Sequence, residues 1–375
     1  MALSDNAQLA LDTLLQKPTT GIPAFGPNIM EHAFIERLAG AKPGDYVRDP
    51  VRVYLGMKHA LGACILDQWI PENPLTMGKA GFEKKEKTAT TGAEEVVRDG
   101  IVIDSPEACC EHLERFEFPK IEKQIAEFDE DARVREILDG EAAIQKILGP
   151  DILKTGYAFI RFPYFYYGHY GYVPYFMAYG LYPDVIERHF ALQGDLALLN
   201  NRAAARAYAE GNLPPLYRLD HDMADSRGTL VNIRSLDRIW FPHFARCLEP
   251  VLKAGVRLLW HCDGNLMDMV PRLLDVGLAG FQGFQYEDGM DYEKICRMTT
   301  KDGRDLIIVG GVSVTHTLPL GAPDDVRREM KWLVEKGPRT GLFLASSSSV
   351  TPGVPWENIV AFAEGLHHYR INGRD

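Results

Sequence analysis

The sequence predicts an α/β fold, a (β/α)8 TIM barrel with an N-terminal helical elaboration and an inserted β-hairpin, in a single domain over residues 1–375. Short apolar segments alternate with longer helical patterns across the C-terminal half, which is typical of parallel βαβ units. Polar residues follow these apolar segments where each strand would end. In a parallel barrel, that end of the strands carries the chemistry.

Residues 258–289 show this pattern most clearly. An apolar segment ends in HCDGN at 261–265, and Asn265 is predicted to cap a helix whose apolar residues recur at helical spacing. Gly277 is predicted to end the helix in the left-handed conformation. A second strand follows over 279–285. His261, Asp263 and Glu287 therefore fall at the carboxyl ends of two predicted strands.

The other elements follow in chain order. Further short apolar segments predict strands at residues 21–26, 63–67, 157–162, 216–220, 306–309 and 342–345. Helices are predicted at 54–62, in the charged stretch 107–148, at 183–210 and 235–254, and from residues 323 and 355 onward. The charged, threonine- and valine-rich segment 82–105 predicts the inserted hairpin, with Asp99 and Gly100 at its turn.

Eleven of the 21 residues from 162 to 182 are aromatic. Packing in the core or at a subunit interface is the commonest use of such residues, so a homodimer is left open. A lining for a flat or methylated ligand is the second interpretation, and a cage for a quaternary amine is the third. We favour packing for most of these residues and ligand contact for a few.

Composition and charge restrict the class of protein. The formal net charge of −11 argues against nucleic acid or an anionic membrane surface as the main partner. The sequence has no apolar run of about 18 residues and no N-terminal signal pattern. Six cysteines without a CxxC pair favour the reduced conditions of the cytoplasm.

Five motifs stand in order along the C-terminal half: WHCDGN at 260–265, EDGMD at 287–291, GGV at 310–312, GAPDDV at 321–326 and PWENI at 355–359. Together they resemble the uroporphyrinogen decarboxylase superfamily, from about residue 157 to the end. That superfamily includes the haem-pathway decarboxylase and the corrinoid-dependent methyltransferases. The resemblance implies the barrel, but the fold hosts more than one chemistry.

Residues 21–36 depart from the haem-pathway decarboxylase. That enzyme has an Arg-Gln-Ala-Gly-Arg segment resembling a clamp for a carboxylate-rich substrate, whereas GIPAFGPNIMEHAFIE contains no arginine. A polyanionic tetrapyrrole needs fixed guanidinium donors. The resemblance is therefore nearer to the methyltransferase branch.

The zinc motif of the methyltransferase branch is also altered. In that branch it reads His-x-Cys-Gly, with a further cysteine in the loop after the last strand. His261 matches the histidine, but Asp263 and Ser348 stand where the cysteines would be. A thiolate zinc site is therefore not expected. The candidate ligands for zinc or another divalent metal are His261, Asp263 and Glu287, with Asp220 and Asp222 as alternatives to Glu287.

Polar residues at predicted strand ends supply the site candidates. The candidate catalytic residues are His261, Asp263, Asp220, Asp222 and Glu287. The candidate substrate-binding residues are Arg161, Tyr164, Tyr167, Arg218, His221 and Ser348. Each polar group also has a simpler interpretation, as a cap, a turn or a solvated loop. Cys262 points to the opposite face from its neighbours and is interpreted as a small core residue.

The leading functional hypothesis from the resemblance is a corrinoid-dependent methyltransferase. It would move a methyl group between a small methylated substrate and cobalamin presented by a partner corrinoid protein, and an aromatic methyl ether is one candidate for demethylation. The leaving group must be protonated or held by a Lewis acid, which the His261–Asp263 pair or its metal would supply. The chain itself lacks the Asp-x-His-x-x-Gly corrinoid motif.

Two alternatives remain open at the level of sequence. One is a decarboxylase or lyase acting on a carboxylated substrate or tetrapyrrole, in which Arg161 and Arg218 would converge on the barrel mouth. The other is a corrinoid-binding or partner-binding protein without catalysis. The density of ionisable residues at strand ends argues against the second.

Overall fold

Eight parallel strands form one sheet in the computed structural model, which describes residues 2–77 and 96–375. In chain order they are β1 Ala24–Phe25, β2 Ala63–Leu66, β3 Leu153–Lys154, β4 Leu216–Asp220, β5 Arg257–His261, β6 Gly280–Gln282, β7 Ile307–Val312 and β8 Leu342–Ser346. Strands β1 to β3 and strands β4 to β8 each pair with the next strand in the chain, and β1 also pairs with β8. A parallel bridge from Gly156 to Tyr217 joins the end of β3 to β4. The predicted TIM-barrel fold is confirmed.

Helices surround the sheet. Before β3 the α-helices are Asp5–Leu14, His32–Leu38, Asp45–Arg48, Pro50–Ala60, Asn73–Met77, Pro106–His112, Phe118–Ala126 and Glu130–Leu148. After β3 they are Tyr167–Tyr170, Tyr172–Leu181, Pro183–Gly211, Ile233–Ile239, Phe241–Lys253, Val270–Val276, Tyr292–Cys296, Thr317–Leu320, Pro323–Lys336 and Trp356–Asn372. No helix among the described residues is both long and apolar enough to cross a membrane.

The amino end of the barrel is closed by the first helix, Asp5–Leu14. Its buried residues Ala7, Ala10 and Leu14 join the cluster formed by the inward side chains of the strands. The Asn6 amide also donates to the carbonyl of Ala63, at the start of β2 (2.8 Å). A sealed amino end leaves the carboxyl ends of the strands as the accessible face.

One predicted strand is wrong. Residues 157–162 are irregular, and the third strand lies earlier, at Leu153–Lys154. The Tyr217 hydroxyl accepts hydrogen bonds from the backbone N–H groups of Phe159 and Ile160 (2.8 Å each). The Asn201 side chain pairs with the backbone of Arg161. Side chains therefore satisfy these backbone groups in place of a neighbouring strand.

Two predicted helices have different bounds, because their caps differ from those expected. Asn232, and not Ser235, accepts a hydrogen bond from the N–H of Arg234 and begins the helix Ile233–Ile239. A second helix then begins at Phe241. Asn265 accepts from the N–H of Met267, but the regular helix begins only at Val270. Gly277 does end it with a positive φ of 116°.

The predicted hairpin insertion at 82–105 is described from residue 96. Val97–Arg98 pairs antiparallel with Ile101–Val102 around Asp99 and Gly100, which have positive φ angles. This part of the hairpin is confirmed. Residues 82–95 of the prediction lie outside the described residues.

Candidate active site

A cavity of about 230 Å³ opens at the carboxyl ends of the strands, and we call it the mouth cavity. Its polar side chains come from β4, β5, β6 and β8 and from the loops that follow β1, β2, β4, β5 and β8. They are Asn28, Asp67, Gln68, Arg218, Asp220, Asp222, His261, Asp263, Gln282, Ser346, Ser348 and Ser349. Of the predicted catalytic residues, the cavity brings together all except Glu287.

His261 is the buried centre of this cavity. Its Nδ1 lies 3.2 Å from the carbonyl oxygen of Gln282, at the end of β6. A carbonyl only accepts hydrogen bonds, so Nδ1 carries a proton in this contact, and Nε2 is the ring nitrogen on the side of Asp263. Nε2 lies 3.9 Å from Oδ1 of Asp263. The neighbouring strand thus fixes the tautomer and orientation of the imidazole.

Asp263 has a carboxylate oxygen with no partner. Its Oδ1 is buried and makes no hydrogen bond within the described residues, while Oδ2 accepts a long one (3.4 Å) from the Ser348 hydroxyl. Burial, and then the charges of Asp222 and Asp220, raise the pKa of Asp263 despite the opposing effect of His261. This carboxyl therefore favours a proton or a metal ion as its partner.

Asp222 completes the group. One of its oxygens accepts a hydrogen bond from the backbone N–H of Asp263 (3.0 Å). Ligand atoms of Asp222, His261 and Asp263 lie within 4.8 Å of one another. We call these three residues the Asp-His-Asp cluster. It draws on the loops after β4 and β5, which are adjacent strands.

Arg218 is buried between two carboxylates. Its Nε donates to Asp67 (2.6 Å) and its Nη1 donates to Asp220 (2.7 Å), which also accepts from the Tyr157 hydroxyl (3.2 Å). Burial alone would raise the pKa of Asp220, but His261 and Arg218 outweigh it and the pKa is lowered. Asp220 is therefore held as an anion, and the charge of Arg218 is already balanced.

Two residues of this region were not identified from the sequence. Asp67 directly follows β2, and a carboxylate at a strand end is a signal that could have placed it at the rim. Lys58 lies behind it, fully buried, and donates to the carbonyl of Pro27 (2.5 Å). Burial lowers the pKa of Lys58 to about 7. No sequence pattern distinguishes Lys58 from an exposed helical lysine.

Glu287 lies apart from the Asp-His-Asp cluster, contrary to its predicted role as a metal ligand beside His261. Its carboxylate accepts hydrogen bonds from the hydroxyls of Ser313 (2.8 Å) and Thr315, and it lies 3.4 Å from Nδ1 of His316. The residue does not line the mouth cavity. The short helical turn Tyr286–Asp288 directs it toward the loop after β7.

Four of the predicted substrate-binding residues also lie outside the mouth cavity. His221 packs among Phe162, Tyr164 and Tyr167, and its Nε2 accepts the backbone N–H of Phe165 (3.0 Å). Burial lowers the pKa of His221 to about 4, so it remains neutral. The Tyr167 hydroxyl donates to the carbonyl of Asp222 (2.9 Å). Arg161 and Tyr164 line neighbouring cavities.

The positions of the other two residues fit their predicted role in substrate binding, which stays a prediction. Ser348 and Arg218 line the mouth cavity. Cys262 is a buried core residue whose sulfur accepts the backbone N–H of Met223 (3.2 Å), and burial raises the pKa of its thiol. It is not a ligand candidate. Most of the aromatic segment packs in the core, including the fully buried Tyr170 and Tyr175.

The Asp-His-Asp cluster fits a divalent metal ion. A neutral imidazole nitrogen and carboxylate oxygens are ligands of zinc and of harder divalent ions. The carbonyl that holds Nδ1 of His261 is the outer contact typical of a metal-binding histidine. The unpartnered Oδ1 of Asp263 supplies a ligand atom that no other described group uses.

Comparisons with known proteins agree with the motifs. Residues 221–369 match the family model described as uroporphyrinogen decarboxylase (URO-D). The chain resembles the URO-D superfamily, as its motifs predicted. No curated protein sequence matches it significantly.

A solved structure described as a methyltransferase from Methanosarcina mazei shares the fold of the whole chain. The alignment covers 97% of this chain and 98% of that one, with a TM-score of 0.56 and 18% sequence identity. The URO-D match begins at His221, between β4 and the Asp-His-Asp cluster. That cluster therefore lies inside the matched region, whereas Asp67 and Lys58 precede it.

Proposed function

We propose that this protein is a metal-dependent methyltransferase of the URO-D superfamily. It would transfer a methyl group from a small methylated substrate to a corrinoid carried by another protein. The observation that supports the proposal is the Asp-His-Asp cluster, with its unpartnered Asp263 oxygen at the carboxyl end of the barrel. A bound divalent metal would act there as a Lewis acid toward the oxygen or nitrogen that loses its methyl group.

The protein's own residues would prepare that leaving group. His261 would present Nε2 because Gln282 holds its Nδ1 proton. Asp263 has a raised pKa and Asp220 a lowered one, and such divergent pKa values are typical of an acid and an anionic partner. In the absence of metal, Asp263 would be the proton donor. Asp220 would remain charged and orient the substrate.

The charge of the mouth cavity argues against the alternative decarboxylase. Four aspartates line it, and its one arginine, Arg218, is already paired with Asp67 and Asp220. A reacting carboxylate placed here would meet uncompensated negative charge. Arg161, the second arginine of that hypothesis, lines a different cavity. A neutral methyl donor suits the lining better.

Elemental analysis of the purified protein, dialysed against a zinc-containing buffer, tests the proposal. We expect about one metal ion per chain in the wild type and loss of it in His261→Ala and Asp263→Asn. A second cluster, His112, Glu117 and His169, also has ligand atoms within 4.8 Å. The variant His169→Asn is therefore the control, and it should retain the metal.

Methyl transfer is then measured with a methylated substrate and free reduced cobalamin as acceptor. We expect transfer by the wild type and its loss in His261→Ala. A wild type without metal, or an Asp263→Asn variant that binds metal normally, would contradict the metal site. Release of carbon dioxide from a carboxylated substrate would favour the decarboxylase.

A further inference from the structure

The mouth cavity is small for a substrate on its own. Its volume of about 230 Å³ is below the roughly 300–1,000 Å³ typical of ligand pockets. A second cavity of about 240 Å³ adjoins it, and Arg218 and Asp220 line both. We call it the aromatic cavity, because Tyr157, Phe162 and Tyr164 are among its walls. A larger substrate would extend from one cavity into the other.

The walls of the aromatic cavity combine aromatic rings with a rigid backbone turn. Phe162 and Tyr164 stack with ring centroids 4.2 Å apart. Ala158, also in the wall, has a positive φ of 64°, which is unfavourable for alanine. Two side chains hold the backbone turn at Ala158. The Tyr217 hydroxyl accepts hydrogen bonds from the N–H groups of Phe159 and Ile160, and Asn200 donates to the carbonyl of Phe159 (2.6 Å). The shape of the cavity is therefore fixed by buried hydrogen bonds.

Arg161 is an exposed, unpaired cation that lines this cavity and the neighbouring one. Its backbone is fixed by the Asn201 side chain, but its guanidinium has no hydrogen-bond or ion-pair partner among the described residues. Arg133 lines a further cavity next to the aromatic cavity, and its guanidinium donates hydrogen bonds to Glu136 and Asn200. Asp220, the carboxylate of the aromatic cavity, is already paired with Arg218. Arg161 is thus the guanidinium that remains available to an anion.

The two adjoining cavities have opposite character. The mouth cavity is acidic and contains the Asp-His-Asp cluster, while the aromatic cavity presents the free guanidinium of Arg161. From this arrangement we infer that the substrate is a flat molecule with its methyl group at one end and a carboxylate at the other. The methyl group enters the mouth cavity, the flat part lies in the aromatic cavity, and Arg161 binds the carboxylate.

This inference rests on the proposed function for the position of the methyl group, but its test measures binding alone. Calorimetry compares 4-methoxybenzoate with the uncharged 4-methoxybenzamide, using the protein as purified. Wild type should bind the benzoate more tightly. A hydrogen bond to a charged group contributes about 1.5–3 kcal/mol, so Arg161→Gln should weaken benzoate binding by roughly 10- to 100-fold. Binding of the benzamide should not change.

Arg161→Lys should recover part of the affinity, because it retains the charge without the planar fork. Arg202→Gln is the control, since Arg202 is an exposed arginine on the helix Pro183–Gly211 and lines none of these cavities. Unchanged benzoate binding in Arg161→Gln, equal losses for both ligands, or no binding by the wild type would overturn the inference. Normal binding without methyl transfer would instead reject the proposed function.

Discussion

Single residues at the barrel mouth have pKa values that are shifted in opposite directions. Asp220 is stabilised as an anion by His261 and Arg218, whereas the pKa of Asp263 is raised because burial and two other carboxylates oppose its charge. The two aspartates lie only 43 positions apart and on adjacent strand ends. Their different environments, and not their residue type, separate their chemistry.

Replacing Asp263 by asparagine should stabilise the metal-free protein at neutral pH. A carboxyl group whose pKa is higher in the folded than in the unfolded state destabilises the fold when it is ionised. This penalty is absent at low pH, where the group is protonated in both states. The gain from Asp263→Asn should therefore shrink as the pH falls toward about 3.9, the ordinary pKa of aspartate. Urea unfolding with a chelator at several pH values measures it.

The exposed Asp268 offers a control nearby, because its side chain is in contact with water. Asp268→Asn should leave the free energy of unfolding nearly unchanged at each pH. A destabilised Asp263→Asn protein at neutral pH would show that the carboxylate is favourably paired in the folded state, contrary to the structure.

Arg218→Met should be strongly destabilising. It leaves Asp67 and Asp220 without their shared cation, and breaking a buried ion pair costs about 3–5 kcal/mol. The pKa of Asp220 is lower in the folded protein than in the unfolded chain. Its ionised carboxylate therefore stabilises the fold at pH values above the unfolded pKa, and this contribution is lost as the pH falls through the folded pKa. The difference from wild type should therefore decline in acid, as measured by urea unfolding.

Arg227→Met is the matched control for this prediction. Arg227 pairs with Asp225 at 2.7 Å, but its side chain is 88% exposed. Such an exposed pair contributes little to stability. Similar losses in both variants would mean that the Arg218 pairs are not protected from water.

At the scale of elements, the loops after adjacent parallel strands assemble the candidate site. Gly283 follows β6 with a φ of +78°, and a Cβ there would lie 2.4 Å from Nδ1 of His261 and 2.9 Å from the Ser347 carbonyl oxygen. The absence of a side chain at Gly283 therefore allows the imidazole to reach the carbonyl of Gln282. The backbone of β6 positions the His261 ring.

Gly283→Ala should lower metal affinity as well as stability. Displacing the ring disturbs the hydrogen bond that orients a metal ligand, and such changes typically cost 10- to 100-fold in affinity. Gly303→Ala provides the comparison, since Gly303 has a φ of +82° and no atom within 4 Å of a Cβ. Both should lose about 1–2 kcal/mol through backbone strain. Equal zinc affinity in the two variants, by competition with a chelator, would refute the positioning role.

For the whole molecule, a metal bound between the β4 and β5 loops should stabilise the folded state. A ligand at 100 times its Kd adds about 2.7 kcal/mol, so zinc should raise the Tm. Asp222→Asn and His261→Ala should abolish most of this rise, and Glu287→Gln should retain it, because Glu287 bonds to Ser313 instead. Differential scanning calorimetry with and without zinc measures the effect. A rise that depends on Glu287 and not on Asp222 would restore the ligand set predicted from sequence.

Much of the fold followed from local patterns. The strands at β1, β2, β4, β7 and β8 were each predicted within a few residues, because buried parallel strands are short apolar runs between turn residues. The third strand was misplaced, since the apolar run at 157–162 satisfies its backbone through Tyr217, Asn200 and Asn201. Those partners lie 40 or more positions away, beyond any local pattern.

The sequence by itself determined the barrel and the meeting of His261, Asp263, Asp220 and Asp222, because parallel strands bring their carboxyl ends to one face. Only the tertiary structure decided that Asp222 replaces Glu287 in the cluster, that Arg218 is neutralised by Asp67, and that His221 is buried. Each of these depends on the direction of a side chain and on partners distant in the chain. Strand spacing fixes where a residue lies, but packing fixes what it contacts.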